Sequence, residues 1–248
     1  MDARAALNLT DLPERLLVVG GGYIGLELGS VYARLGSQVT VVEMLDSLLP
    51  GIDEELVRFL RRGIKGLFHA VHLNTKVTGL EPGQDQVRVT LEGEIEEPEQ
   101  SFDRVLVAIG RRPNSENLGL ENTDVEVGED GFVRVDEQRR TDDPRIYAVG
   151  DLVGEPLLAH KAFYEGRIAA EAMAGEPAAY DARCVPAVVY TDPQVAWCGL
   201  MEAEAQEQSR SVAVLKFAWG ASGRAVTMDA TTGLTKLICD TDTGQVLG

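Results

Sequence analysis

The feature that most constrains this chain is a glycine-rich segment between a short apolar run and an apolar helix pattern. RLLVVG at positions 15–20 is nearly continuously apolar, which is typical of a strand buried on both faces of a parallel sheet. Apolar residues then recur with helical spacing as far as Leu35, and Gly36 can end that helix. QVTVVE at 38–43 is the next apolar strand. This order predicts a right-handed strand, helix, strand unit and an α/β fold.

Three glycines in the turn form the pattern G-x-G-x-x-G between that strand and that helix. Gly20 permits a tight turn, Gly22 lets the backbone approach a pyrophosphate, and Gly25 lets the helix pack closely. The amides at the start of the helix can then bind the diphosphate. We therefore predict a Rossmann-like dinucleotide-binding domain in which these loop residues contact the cofactor: Gly20, Gly21, Gly22, Tyr23, Ile24 and Gly25.

Glu43, at the end of the second strand, indicates which dinucleotide binds. A carboxylate there accepts hydrogen bonds from ribose hydroxyls and repels a 2′-phosphate. The residues that follow, MLDSLLP, contain no arginine that could bind such a phosphate. The predicted cofactor is NAD rather than NADP.

Two residues of the first helical turns have no single interpretation from sequence. Glu27 lies beside Leu26 and Leu28, and an exposed acid stabilised by the helix dipole is the simplest explanation for it. Tyr23 is compatible either with packing or with lining a ligand site.

The rest of the chain alternates between strand and helix patterns and then changes character. We expect a helix at about Asp53–Arg62, and a helix within 157–175 capped by Gly175. The strand candidates are 71–82, 86–93, 103–110 and 132–138, with a solvated acidic hairpin or loop at 92–100. From Cys184 onward the pattern is antiparallel, with a hairpin turn at 242–244.

Composition excludes several classes of protein. A formal net charge of −17 argues against a nucleic-acid partner, because such binding uses Lys and Arg to neutralise phosphates. No stretch approaches the roughly 20 apolar residues of a membrane span, and the first residues lack a secretory signal, so we expect a cytoplasmic protein with no membrane partner.

Neither cysteines nor histidines form a recognisable reactive set. Cys184, Cys198 and Cys239 are widely spaced, so we interpret them as reduced thiols at buried or edge positions. Only His69 and His72 are close in sequence, and no ligand stands at usable spacing from them. We predict no metal site.

Several later motifs, taken in order, carry a family resemblance. VVGGGYIGLELG, VAIGRRPN, RIYAVGD, LLAHKA and VPAVVYTDPQVAWCGL resemble the flavoprotein disulfide reductases, and within them the dihydrolipoamide dehydrogenases most. The resemblance covers essentially the whole chain. It implies an NAD-binding domain at 1–118, the second segment of an FAD-binding domain at 119–183, and the start of an α+β dimer-interface domain at 184–248, which is incomplete.

The resemblance also assigns roles to single residues. It implies that Asp151 holds the flavin ribityl chain and that the backbone of Leu157, Leu158, Ala159 and His160 contacts the flavin ring. Tyr23 would gate the nicotinamide pocket, and Val77 and Gly110 would give backbone contacts to NAD. Glu27 would pair with a lysine beside the redox cysteines near the flavin, which replaces the simpler interpretation as an exposed acid.

Three catalytic parts of the family are missing from these residues. The chain has no C-x-x-x-x-C pair, no upstream FAD loop and no carboxy-terminal His-Glu base. The resemblance implies a homodimeric enzyme that oxidises dihydrolipoamide with NAD, through FAD and a cysteine pair, and joins 2-oxo acid dehydrogenase complexes through lipoyl domains. We expect the chain to be a middle portion of such an enzyme that binds NAD but does not turn over.

Two alternatives stay open at this point. One is another member of the same family, such as a mercuric reductase or a soluble transhydrogenase. The other is a noncatalytic NAD-binding protein without the redox parts, which would fold stably and as a single species by itself.

Overall fold

The computed structural model describes residues 1–8 and 10–248. The chain divides into two compact units, Met1–Gly110 with Val188–Gly248, and Arg111–Ala187. The first unit is therefore discontinuous in sequence and the second is continuous. The three-part division at 118 and 183 stays a prediction.

The regular elements include those predicted at 15–43, 53–62 and within 157–175, together with others that were not predicted. In chain order they are α1 (Ala3–Leu7), β1 (Arg15–Val19), α2 (Tyr23–Leu35), β2 (Gln38–Val42), α3 (Glu54–Ile64), β3 (Ala70–His72), β4 (Thr75–Pro82), β5 (Val87–Gly93), β6 (Glu99–Phe102), β7 (Arg104–Val107), α4 (Ala159–Met173), β8 (Ala187–Val189), β9 (Val195–Trp197), α5 (Glu202–Glu207), β10 (Val212–Ala218), α6 (Gly223–Thr227) and β11 (Leu234–Asp240).

A parallel sheet of order β3-β2-β1-β7 is the centre of the first unit. Leu16 and Val18 of β1 are buried in the apolar cluster that includes Leu26 and Tyr32 of α2. Leu17, between them in sequence, is buried in a second cluster on the other face. Burial on both faces explains why β1 is apolar at consecutive positions, and the predicted α/β fold with a parallel sheet is confirmed.

The second apolar cluster is closed by an antiparallel sheet of order β4-β5-β6. Val89 and Phe102 of that sheet pack in the same cluster as Leu17 and Val42. The acidic segment 92–100 contains the connection between β5 and β6, as expected for a hairpin.

Residues 188–248 complete the first unit. Strands β10 and β11 pair antiparallel, with Leu215 opposite Leu237, and the chain then turns so that Cys239 bridges to Val246. The amide of Gly244 donates to the carbonyl of Asp240 at 2.9 Å and closes the turn. The antiparallel pattern and the hairpin turn are confirmed.

The second unit has little regular structure besides α4. That helix ends at Met173, and Gly175 follows its cap residue Ala174 with a left-handed backbone. The predicted strand at 132–138 is wrong, because only an isolated bridge joins Val133 to Val127. The carboxylate of Asp136 accepts from the amides of Gln138 and Arg140 at 2.8 and 2.9 Å, which turns the chain instead of extending it.

Membrane-spanning potential is absent from the described helices. None of those within residues 1–8 and 10–248 combines the length and the apolar character that a crossing requires.

Candidate functional site

The glycine-rich turn between β1 and α2 is held by the sheet itself. Gly20 has φ of +110°, and a Cβ at this position would lie 2.4 Å from the carbonyl oxygen of Ala108. Its amide donates to the carbonyl of Val42 at 2.8 Å. Only glycine fits this position, because both its backbone conformation and its surroundings exclude a side chain.

The other two glycines of the pattern differ sharply in their surroundings. A Cβ at Gly25 would lie 2.2 Å from the carbonyl oxygen of Gly20 and 3.0 Å from Val18 Cγ1. Gly22 precedes α2, has no side-chain cap, and would place a Cβ with no atom within 4 Å. The start of α2 is therefore open, and the amides of its first turn have no intrahelical partners. This arrangement fits a bound diphosphate.

Glu43 closes the other side of the turn at the end of β2. Its Oε2 accepts from the amide of Gly21 at 2.7 Å and its Oε1 from the amide of Leu45 at 2.9 Å. The residue is buried, so its carboxylate is fixed in place. Each carboxylate oxygen has two acceptor positions, and each keeps one for a further donor.

Tyr23, Ile24 and Glu27 lie along the first turns of α2 and are half-buried. Tyr23 packs against the main apolar cluster. The carboxylate of Glu27 is hydrogen-bonded within the protein, since its Oε1 accepts from the backbone amide of Tyr190 at 2.8 Å. Glu27 thus joins α2 to the segment after β8.

Val77 and Gly110 are the two remaining predicted NAD contacts. Val77 packs half-buried against the second apolar cluster, at the point where the register between β4 and β5 shifts. Gly110 is exposed, with φ of +140° and no atom within 4 Å of a Cβ placed there.

The predicted flavin residues lie in the second unit, around the start of α4. Arg111 forms an ion pair with Asp151 and donates to the carbonyl of Leu157 at 3.1 Å. Leu158 caps α4 without a side-chain hydrogen bond, and Ala159 and His160 begin the helix. Through Arg111, the structure brings Asp151 and Leu157 together, although they are separate motifs in sequence.

A buried ion pair on α4, next to the turn at Gly150, was not predicted from the sequence. Lys161 and Glu165, 5% and 1% exposed, approach to 3.1 Å along α4. The amide of Gly150 donates to Glu165 at 2.6 Å, and Lys161 donates to the carbonyl of Gly150 at 3.2 Å. The signal was the four-residue spacing of opposite charges in LLAHKAFYEG, which exposed helix pairs share.

The histidines and cysteines differ in environment. Burial, and then the charge of His69, lowers the pKa of His72. Cys239 is buried as expected, whereas Cys184 and Cys198 are exposed, so a buried position is wrong for these two. Among the described residues, no group of three or more His, Cys, Asp or Glu side chains is arranged to hold a metal ion.

Comparison with known families gives a match over most of the chain. A sequence profile of the pyridine nucleotide-disulphide oxidoreductases matches residues 1–166. The chain belongs to this family. A second profile, for the dimerisation domain of the same family, matches residues 185–248.

Curated relatives in this family carry the name dihydrolipoyl dehydrogenase. The protein from Haemophilus influenzae is 45% identical over 247 residues, which are 100% of this chain and 52% of the relative. The protein from Bacillus subtilis is 43% identical over 249 residues, 100% of this chain and 53% of the relative. The chain spans about half the length of the curated relatives that it matches.

Solved structures of the family have the same fold. The HOCl-induced flavoprotein disulfide reductase RclA from Escherichia coli matches with a TM-score of 0.87 and 30% identity, over 100% of this chain and 56% of that one. LpdA from Mycobacterium tuberculosis matches with the same TM-score of 0.87 and 30% identity, over 100% and 53%. By its name, this family consists of pyridine nucleotide-disulphide oxidoreductases.

Proposed function

We propose that this chain is the NAD-binding portion of a dihydrolipoyl dehydrogenase. The family membership supports an oxidoreductase, and the relatives of that name support the choice within the family. Mercuric reductases and soluble transhydrogenases are the nearest alternatives.

The turn between β1 and α2 would hold the diphosphate of NAD. Gly20, Gly21, Gly22, Tyr23, Ile24 and Gly25 are the proposed contacts. The open space at Gly22 supports this assignment, since a ligand can reach the backbone there without meeting a Cβ. Val77 and Gly110 are proposed as further backbone contacts.

The observation that carries the proposal is the fixed carboxylate of Glu43. Amides of Gly21 and Leu45 hold its two oxygens at 2.7 and 2.9 Å, and one acceptor position on each oxygen is left for a ribose hydroxyl. A 2′-phosphate in that place would face a negative charge that the backbone prevents from moving away. NAD is therefore favoured over NADP.

The second unit would contribute to a flavin site. Asp151 would accept from the ribityl hydroxyls, and the backbone of Leu157, Leu158, Ala159 and His160 would approach the ring. FAD supplies two-electron chemistry between thiols and NAD in such an enzyme. Glu27 would pair with a lysine of the cysteine-bearing segment, while its Oε1 stays bonded to the amide of Tyr190 at 2.8 Å.

The remaining proposals concern the whole enzyme. It would be a cytoplasmic homodimer that oxidises dihydrolipoamide and works with a 2-oxo acid dehydrogenase complex through lipoyl domains. The dimerisation-domain match at 185–248 supports the dimer. These 248 residues contain no C-x-x-x-x-C pair, so we expect them to bind NAD without oxidising dihydrolipoamide.

The test is calorimetric titration of the purified chain with NAD, NADP and FAD in parallel. We expect NAD to bind with a dissociation constant at least tenfold below that of NADP, which corresponds to about 1.4 kcal/mol. Glu43→Ala should abolish the preference and weaken NAD binding. Glu81→Gln, which removes an exposed carboxylate on β4, is the control and should bind NAD as the wild type does.

Equal affinity for NAD and NADP in the wild type would contradict the role of Glu43. A chain that binds no nucleotide would contradict the proposed function altogether. A chain that binds NAD and remains a stable single species would instead support the noncatalytic alternative.

A further inference from the structure

The ammonium group of Lys161 has three acceptors around it, all within the second unit. Its Nζ donates to the carbonyls of Gly150 and Gly154 at 3.2 and 2.9 Å. The third acceptor is Oε1 of Glu165, at 3.1 Å. Because a lysine has three N–H donors and no acceptor, this buried group is fully satisfied.

Glu165 also bonds the turn at Gly150. Its second oxygen, Oε2, accepts from the amide of Gly150 at 2.6 Å. The two side chains therefore bind both backbone groups of one residue, the N–H through Glu165 and the C=O through Lys161. Arg139 adds a second positive charge 3.8 Å from Oε1 of Glu165 and stacks 4.0 Å from the ring centroid of Tyr180.

The backbone of the Gly150 turn is also restricted by its own conformation and by packing. Gly150 has φ of +76°, and a Cβ there would lie 2.8 Å from the Cβ of Ala162 on α4. The turn therefore sits directly on the helix that carries Lys161 and Glu165. Asp151 is the next residue, and its carboxylate points away toward Arg111.

A buried pair of this kind is a poor source of stability. Desolvation of both charges offsets most of their attraction, and apolar residues of similar volume commonly stabilise a fold equally well. What the pair supplies here is geometry, because Lys161 Nζ and Glu165 Oε2 each bond a backbone group of the turn.

We propose that Lys161 and Glu165 are positioning residues that fix the Gly150 turn and thereby aim the Asp151 carboxylate at a polyhydroxyl ligand. The proposal rests on the proposed function in one respect, that this ligand is the ribityl chain of FAD. The holding of the turn itself is independent of any ligand.

Two neutral double variants isolate the hydrogen bond from the charges. Lys161→Met/Glu165→Gln keeps an acceptor for the Gly150 amide, whereas Lys161→Met/Glu165→Leu removes it. Both remove the charges of Lys161 and Glu165 together, and Arg139 loses its ion pair with Glu165 but keeps its stacking on Tyr180, so both are expected to fold. Arg167→Met/Glu171→Gln, which neutralises an exposed pair of equal spacing on the same helix, is the control.

The first readout is amide hydrogen exchange by NMR on the full chain. In the leucine variant the amides of Gly150 and Val153 should exchange roughly ten- to hundredfold faster, while those of Ile168 and Ala169 stay unchanged. In the glutamine variant the Gly150 amide should again exchange slowly, and in the control every exchange rate should match that of the wild type. Unchanged exchange in the leucine variant would overturn the proposal, and so would faster exchange along all of α4, which marks a purely structural role.

The second readout is FAD titration followed by flavin fluorescence. The leucine variant should bind FAD about tenfold more weakly, and the glutamine variant should fall between it and the wild type, because it keeps the bond to the Gly150 amide but loses those of Lys161 to the carbonyls of Gly150 and Gly154. An unchanged constant together with a loosened turn would overturn the link to Asp151. A wild-type chain that binds no FAD would count against the flavin part of the proposed function, while the exchange result would still decide whether the pair holds the turn.

Discussion

Two glycine-containing turns of this protein are fixed by different means. The turn at Gly20 is held by backbone groups of the parallel sheet, with Val42 accepting from its amide at 2.8 Å. The turn at Gly150 is held by side chains, with Glu165 accepting from its amide at 2.6 Å and Lys161 donating to its carbonyl at 3.2 Å. Both glycines have left-handed backbones.

The difference shows where conformational control can come from. A turn at the end of a parallel strand takes much of its geometry from the hydrogen-bonded strands beside it, and here only one carboxylate, that of Glu43 on the amide of Gly21, is added to them. A turn without a sheet beside it needs polar partners from elsewhere in the fold, and buried charges can supply them. Substitutions that add a side chain should therefore destabilise the Gly20 turn most. Substitutions that remove a polar group should loosen the Gly150 turn most.

The largest effect is expected where a side chain is forced into the sheet-held turn. Gly25→Ala places a Cβ 2.2 Å from a backbone oxygen, so we expect a loss of roughly 2–3 kcal/mol in the free energy of unfolding. Gly22→Ala meets no atom within 4 Å and should change stability by less than about 0.5 kcal/mol, although NAD binding should weaken. Urea unfolding followed by the fluorescence of Trp197 and Trp219 measures this in the first unit. Equal losses for the two variants would contradict the steric argument.

The same kind of substitution in the other turn should cost less. Gly150→Ala is strained by its φ of +76° and meets the Cβ of Ala162 at 2.8 Å, and we expect a loss of about 1–2 kcal/mol. Far-UV circular dichroism during urea unfolding reports it, and tryptophan fluorescence should stay unchanged because both tryptophans belong to the first unit. A change in both signals would mean that the two units do not unfold separately.

The third prediction concerns how the stability of the second unit depends on pH. Hydrogen bonds from the side chain and amide of Arg145 lower the pKa of Asp143 from its ordinary 3.8 to about 2. A lowered pKa in the folded state means that the stabilisation is complete above the ordinary value and is lost as the pH falls toward about 2.

The wild type should therefore lose stability between about pH 4 and about pH 2, and Asp143→Asn should lose less in that window. Circular dichroism during acid titration, with urea held near the midpoint, is the measurement. Parallel curves for the two proteins would exclude Asp143 as a source of the acid sensitivity.

The smallest effect is expected at an exposed ion pair of the first unit. Arg34 and Asp192 approach to 2.6 Å, but their side chains are 58% and 77% exposed. Water screens such a pair, so Arg34→Met should change the free energy of unfolding by less than about 0.5 kcal/mol. The tryptophan-monitored urea curve measures it, and a loss above about 1 kcal/mol would show that exposure alone does not separate this pair from the buried one.

The sequence predicts those parts of the fold whose burial follows a regular period. β1 and β2 are buried on both faces and α2 on one, so apolar spacing identifies all three. The strand expected at 132–138 is wrong because Asp136 bonds two nearby amides, a local preference that an alternating pattern does not reveal.

The candidate site was predictable to the extent that it depends on backbone sterics. Glu43 and the glycines follow from a spacing with a physical reason. Lys161 and Glu165 were missed because an (i, i+4) pair on a helix has the same sequence whether it faces water or the interior. The contact of Arg111 with Leu157 was missed because it joins two segments that are distant along the chain.

The bond between Glu27 and Tyr190 has a consequence for the order in which the molecule forms during synthesis. Its partners are 163 residues apart, and the whole second unit is translated between them. At about 5–20 residues per second, the acceptor leaves the ribosome on the order of ten seconds before the donor. The second unit, Arg111–Ala187, is continuous in sequence, so all of its residues are synthesised before those of 188–248. It can therefore fold before the first unit, which needs that later segment.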